Sequence, residues 1–194
     1  MSEDAAAKRR ARQTLINLLL SLAATSGLVV ALVLAVPRTN ESLIKPVDYI
    51  SIGQTAASAS DAAVLLPDVA TLGPDWWANS ARWSAGKGDG VATWYTGFVG
   101  PKNEYIALTQ AFNSNPTWFA QFVKETSQTD SVTVSGVQFA IYTANEKHSP
   151  AKTKDYILAA KIGNDDILIY GTADQPTMQK FAQLVTDQIA KVYQ

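Results

Sequence analysis

From Thr14 to Val36 the chain runs for 23 residues without a formal charge. A helix of that length reaches roughly 35 Å, enough to cross a hydrocarbon core of about 30 Å with some tilt. No other stretch constrains the fold as strongly. A secretory leader usually has an apolar region of about 7–15 residues, so this run reads as a retained anchor. Val33 and Ala35 offer only a weak small-residue cleavage alternative. Lys8, Arg9, Arg10 and Arg12 precede the run, and a poorly charged stretch follows it. That asymmetry predicts a cytoplasmic N-terminus and a main domain outside the membrane. The expected organisation is a basic cytoplasmic segment (1–13), a transmembrane helix (14–36), a polar tether (37–46) and an extracytoplasmic domain (47–194).

The faces of the anchor differ. At about 100° per residue, Leu15, Leu18, Leu19, Leu22, Val29, Val30, Val33 and Val36 gather on one side. The other side collects Asn17, Ser21, Ala24, Thr25, Gly27, Ala31 and Ala35. Ala23, Gly27, Ala31 and Ala35 also form a small-xxx-small series, a spacing that lets two helix backbones approach closely. Asn17 is costly against lipid unless its amide finds a partner, although water or headgroups are near at the cytoplasmic end. Asn17, Ser21, Ala24, Gly27, Ala31 and Ala35 are therefore the expected helix-packing face, and an integral membrane protein is the expected partner beside the bilayer itself.

Composition narrows the rest. The 194 residues suit one domain plus the anchor. Beyond the anchor stand 12 Lys/Arg against 15 Asp/Glu, a net of −3. A mildly acidic domain argues against nucleic acid, which needs a basic face. With no cysteine, disulfides, thiolate metal sites and cysteine nucleophiles are impossible.

Periodicity along the domain predicts an Ala-rich helix in "VDYISIGQTAASASDAAV" and a short strand in "VLLPDVATLGPDWW". Strands follow in "WANSARWSA", "VATWYTGFVG" and "EYIALTQAF", separated by the turns "GKGDG" and "GPKN". "NSNPTWFAQFVKETS" has an Asn cap and Pro just inside, with Trp118, Phe119, Phe122 and Val123 at helical spacing. "SVTVSGVQFAIYTA" returns to strand, and "DYILAAKI", "GNDD" and "ILIYGTA" form a hairpin. The last 22 residues read as an amphipathic helix with Met178, Phe181, Leu184, Val185, Ile189 and Val192 inward. The fold class is α+β: a transmembrane helix, then a largely antiparallel sheet with helices packed on one face.

Few residues offer chemistry. His148, the only histidine, sits among lysines in an evident loop; Ser149 and Asp155 are near in sequence, but a solvated loop is the expected reading. "GKGDG" fails the phosphate-loop pattern, because Ala81 and Asp89 occupy its Gly and Ser/Thr places. Asp165 and Asp166 after Gly-Asn fit a turn better than a calcium site. Trp94 and Phe98 should face one side of their strand and Tyr95 the other. Adjacent Trp76 and Trp77 cannot both face inward if extended, so one of them is a candidate contact aromatic. No catalytic residue, metal or cofactor is expected.

"RARQTLINLLLSL", "VPR", "PVDY", "LPDVATLGPDWWANSARW", "TGFVGPKNEYIALTQ" and "VSGVQFAIY" together resemble the actinobacterial membrane-anchored family known as domain of unknown function 4245. Phe139 stands where that family's pattern has Trp. The resemblance implies an actinobacterial envelope protein and carries no catalytic residues. The strand and helix order is similar, at the level of fold, to Mog1/PsbP-type domains. The leading expectation is a non-enzymatic single-pass accessory subunit of an envelope membrane complex, with the respiratory cytochrome bc–oxidase supercomplex as candidate partner. The alternative is an anchored ligand- or lipid-binding module using the aromatic side of the sheet. A pocket lined by Trp and Tyr would favour that alternative; a filled sheet–helix core would favour the first.

Overall fold

The computed structural model describes residues 3–35, 45–146, 148 and 150–193. The chain divides into two compact units, Met1–Leu43 and Ile44–Gln194. The tether expected at 37–46 falls mostly outside the described residues, as does Val36.

In the first unit a single helix, α1 (Glu3–Ala35), runs through both the basic segment and the apolar run. Its stretch from Lys8 to Ala35 is long and apolar enough to cross a membrane. The hydroxyls of Thr14 and Thr25 donate to the carbonyls of Arg10 (3.0 Å) and Ser21 (2.9 Å). Each is thereby satisfied inside the helix, as a hydrocarbon surrounding requires. The leucines and valines of α1, Leu15 and Leu34 among them, are exposed.

The second unit opens with α2 (Tyr49–Ser60), capped by Asp48, whose carboxylate accepts from Ser51 N–H at 3.0 Å. Among the described residues seven strands follow: β1 (Trp77–Ser84), β2 (Ala92–Val99), β3 (Tyr105–Phe112), β4 (Thr126–Val134), β5 (Val137–Ala144), β6 (Tyr156–Ile162) and β7 (Asp165–Gly171). They form one sheet in the order β1-β2-β3-β7-β6-β5-β4, every neighbouring pair antiparallel. Two meanders, β1-β2-β3 and β4-β5-β6-β7, are joined where β3 pairs with β7. The helix α3 (Pro116–Phe122) lies between β3 and β4 in the chain, and α4 (Gln175–Val192) closes it. The start of α3 is the one the sequence implies. Asn115 caps α3 by accepting from Trp118 N–H, and Asp174 caps α4 by accepting from Thr177 N–H, each at 2.9 Å.

Period-two alternation gives the sheet two unlike faces. Phe98, Ile106, Leu108, Phe139, Leu158, Ile167 and Ile169 are fully buried and pack with Met178, Phe181, Val185 and Ile189 of α4. Trp94, on the same side of β2, is buried with Ala56 of α2, and its indole N–H donates to Leu65 C=O at 3.1 Å. Gly53 lets α2 approach, since a Cβ there would overlap Leu66 and stand 3.1 Å from Trp94. This layer is a filled core.

Four expectations change. The helices do not share one face: Trp118, Phe119 and Phe122 of α3 pack with Ala107, Ile157, Leu168 and Tyr170, residues of the side opposite α4. The "VLLPDVATLG" stretch is no strand but contains a 3-10 turn at Val69–Leu72. Instead of pairing with another strand there, Leu65 N–H donates to the buried Gln110 amide at 3.0 Å. The single strand expected in "SVTVSGVQFAIYTA" is a hairpin, reversed at Ser135 and Gly136, both with positive φ (46° and 86°). Its first strand, β4, begins at Thr126 and takes the end of the segment assigned to α3.

Candidate functional site

The face of the sheet opposite α4 is incompletely covered, because α3 has only seven residues. At about 1.5 Å per residue it spans roughly 10 Å, against seven strands spaced about 4.8 Å apart. Near the centre, hydroxyl hydrogen bonds run through the small apolar cluster that α3 covers. The hydroxyls of Tyr95 and Tyr105 hydrogen-bond to each other, and Tyr170 OH lies 3.1 Å from Thr109 Oγ1. Gly97 leaves the room for Tyr105, since a Cβ would overlap its hydroxyl. The guanidinium of Arg82 stacks 4.3 Å over the Tyr95 ring. Burial pushes Tyr170 up to about 12, with the Thr109 hydrogen bond working the other way. Burial also raises Tyr105, helped by its bond to Tyr95.

Above this network α3 presents aromatic edges. Phe122 meets Tyr170 edge-on at 5.3 Å, and Phe119 meets Tyr142 at 5.8 Å. The ammonium of Lys154 sits 3.6 Å over the Phe122 ring and donates to Phe122 C=O at 3.3 Å. Burial lowers its proton affinity, against the pull of Glu125.

Between α3 and β4 this face opens into a cavity of about 550 Å³. Its lining includes Asn115, Pro116 and Phe119 at the α3 start, Gln128 and Ser131 of β4, Gln138 and Ala140 of β5, and Ala159, Lys161 and Asp166. Ala140 and Ala159 are direct cross-strand partners, so two methyl groups form the floor where larger side chains would fill it. At one end Asp166, 6% exposed, accepts from Ser114 Oγ and faces Lys161 Nζ at 3.4 Å. Lys161 also donates to Ser114 Oγ at 3.1 Å and Asn164 C=O at 3.3 Å.

His148 is not a solvated side chain. Its Nδ1 lies 2.8 Å from Asp155 Oδ1, both side chains about a fifth exposed, beside a second cavity of about 220 Å³. The other Asp155 oxygen accepts Lys152 N–H at 2.8 Å, so the carboxylate ties the loop together. Ser149, weighed with them as a nucleophile, lies outside the described residues.

The remaining sequence candidates separate. Trp76 is 8% exposed and belongs to the α4-side core, so it is not a contact aromatic; Trp77, on the strand, is half-buried and retains that candidacy. Asn17, Ser21, Ala24, Gly27, Ala31 and Ala35 are all exposed on α1, and a Cβ at Gly27 meets nothing within 4 Å. Asp165 and Asp166 diverge to opposite faces: Asp165 accepts from Asn113 N–H (2.9 Å) and Tyr193 OH (2.5 Å), so the pair shares no cation. In "GKGDG" Asp89 accepts Val91 N–H at 3.1 Å, closing the hairpin turn. Sequence reasoning missed Ser114, Lys161, Ala140 and Ala159. The lone signal for the floor is a pair of alanines at alternating, otherwise bulky strand positions.

These features meet an independent comparison. A model of a protein family of unknown function, DUF4245, matches residues 10–185. The chain belongs to that family. The match runs from the basic segment before the anchor into α4, so this DUF4245 chain shares both units with its family. Neither a curated protein nor a solved structure matches it. The expected likeness to Mog1/PsbP-type domains thus finds no support among solved structures.

Proposed function

We propose that this DUF4245 protein is a non-enzymatic, single-pass accessory subunit of an actinobacterial envelope membrane complex. Its N-terminus is cytoplasmic and its α+β domain extracytoplasmic, following the four basic residues before the span. The observation that carries the reading is α1 itself. An anchor needs only apolarity, yet this helix also spaces Ala23, Gly27, Ala31 and Ala35 one turn apart in an unbroken small-residue series. Small residues at an interface gain dispersion contact by close backbone approach, the main gain available where lipid removes hydrophobic driving force. The partner is an integral membrane protein, and the respiratory cytochrome bc–oxidase supercomplex is the candidate.

A non-enzymatic role agrees with how the reactive groups are spent. The Ser114 hydroxyl is tied to Asp166, and the Lys161 ammonium is divided among three acceptors. The filled core beneath α4 is that of a scaffold. Affinity purification of the tagged full chain from membranes in mild detergent tests the proposal. Integral membrane companions in fixed stoichiometry are expected, and a chain that purifies alone would overturn it.

A further inference from the structure

The cavity between α3 and the β4–β5 hairpin has a volume and lining that can be read for the chemistry they would admit. Its floor is the Ala140–Ala159 cross-strand pair, and its wall is the Phe119 ring, held in place edge-on by Tyr142. The volume of about 550 Å³ lies within the range of small-molecule pockets, roughly 300–1,000 Å³. A preformed wall spares a ligand the cost of ordering it.

Charge is the discriminating property. Lys161 and Asp166 line one end but already satisfy each other and Ser114. An ammonium has three donors, and those of Lys161 are directed to Ser114 Oγ, Asn164 C=O and the Asp166 carboxylate. A ligand carrying a carboxylate or an amine would have to break that cluster or bury its charge unpaired against methyl and phenyl groups, which is costly. The exposed Gln128 and Gln138 amides at the rim instead offer both donors and acceptors to an uncharged oxygen function.

We infer that this cavity binds a neutral amphiphile, an apolar chain or ring ending in an uncharged hydroxyl, ester or carbonyl group. The inference is independent of which protein α1 contacts. Such a ligand comes from the bilayer, as an uncharged lipid, or from solution as a free small molecule.

The test is photolabelling of the full chain with three ten-carbon probes that carry a mid-chain diazirine and differ only in ending as an alcohol, a carboxylate or an amine. Labelled residues are mapped by mass spectrometry. In vesicles, labelling of α1 reports how much of each probe enters the bilayer and normalises the comparison. The alcohol is expected to label residues around Phe119 and Ala140 at least tenfold more than either charged probe. Excess unlabelled decanol should suppress that labelling. Ala140→Trp fills the floor and should abolish it while α1 labelling persists. Ser131→Trp, at an exposed rim position, should do the same without touching the core. Repeating the experiment with lipid-free protein in an amphipathic polymer separates the sources: labelling retained there indicates a freely soluble ligand, and labelling only in vesicles a lipid. Labelling confined to α1, equal labelling by all three probes, or indifference to Ser131→Trp would overturn the inference.

Discussion

Thr96 sits in the middle of β2, fully buried between Trp94 and Phe98, and its hydroxyl has no hydrogen-bond partner. A buried orphan hydroxyl keeps its desolvation penalty without compensation, so Thr96→Val should stabilise the domain by about 1 kcal/mol. All five tryptophans lie in the domain, so their emission reports its denaturation without interference from α1. The expected result is a higher denaturant midpoint with an unchanged slope; a lower midpoint would mean the hydroxyl is satisfied. Gln110 is the opposite case. Its amide accepts from Leu65 N–H and donates to Ala63 C=O and Tyr193 OH, so Gln110→Leu orphans buried groups and should cost about 2–4 kcal/mol in the same assay. Tyr170 contributes a pH dependence. Its proton is held more tightly in the folded state, up to about 12 against an ordinary 10. Stability is therefore complete below pH 10 and falls between pH 10 and 12, by roughly 2–3 kcal/mol from this group. Phenolate absorbance near 295 nm should rise together with tryptophan exposure in that window, and Tyr170→Phe should flatten part of the fall.

At the scale of elements, α1 makes the sharpest prediction. Gly27→Leu places a bulky side chain on the small-residue face, where nothing else within the unit stands within 4 Å. It should weaken recovery of membrane companions while leaving insertion intact, whereas Val29→Leu, about 160° around the helix from Gly27, should do little. Equal recovery with both variants would leave α1 as a plain anchor. The elements themselves were legible to different degrees. The start of α3 could be read from Asn115-Pro116 because a cap is a contact over three residues. The β4–β5 hairpin was missed because Ser135 carries its turn with a positive φ, a conformation weakly announced by Ser. The stretch before Val69 was misread because its apolar residues are buried by contacts with α4 and Gln110 rather than by strand pairing.

For the whole molecule, orientation is the first thing to measure. With the N-terminus cytoplasmic and α1 retained, protease added to spheroplasts should remove the domain and leave a short protected fragment. A resistant domain, or a mature N-terminus near Val36, would contradict that placement. The long apolar helix, the α+β class and most strand positions followed from the sequence alone, because the length of an apolar run, the Asn115 cap and the periods of 2 and 3.6 residues are local properties. The tertiary structure decided the rest. Pairing of β3 with β7 joins residues about 60 positions apart, and that junction places Ser114 beside Asp166 and Lys161. The crossing of α3 over the face opposite α4 left the cavity above Ala140 and Ala159 open, and the closure of one loop brought His148 to Asp155. Local patterns state which side of a strand is apolar. They do not state what covers it, because register and coverage follow from competition among distant surfaces for the same apolar area.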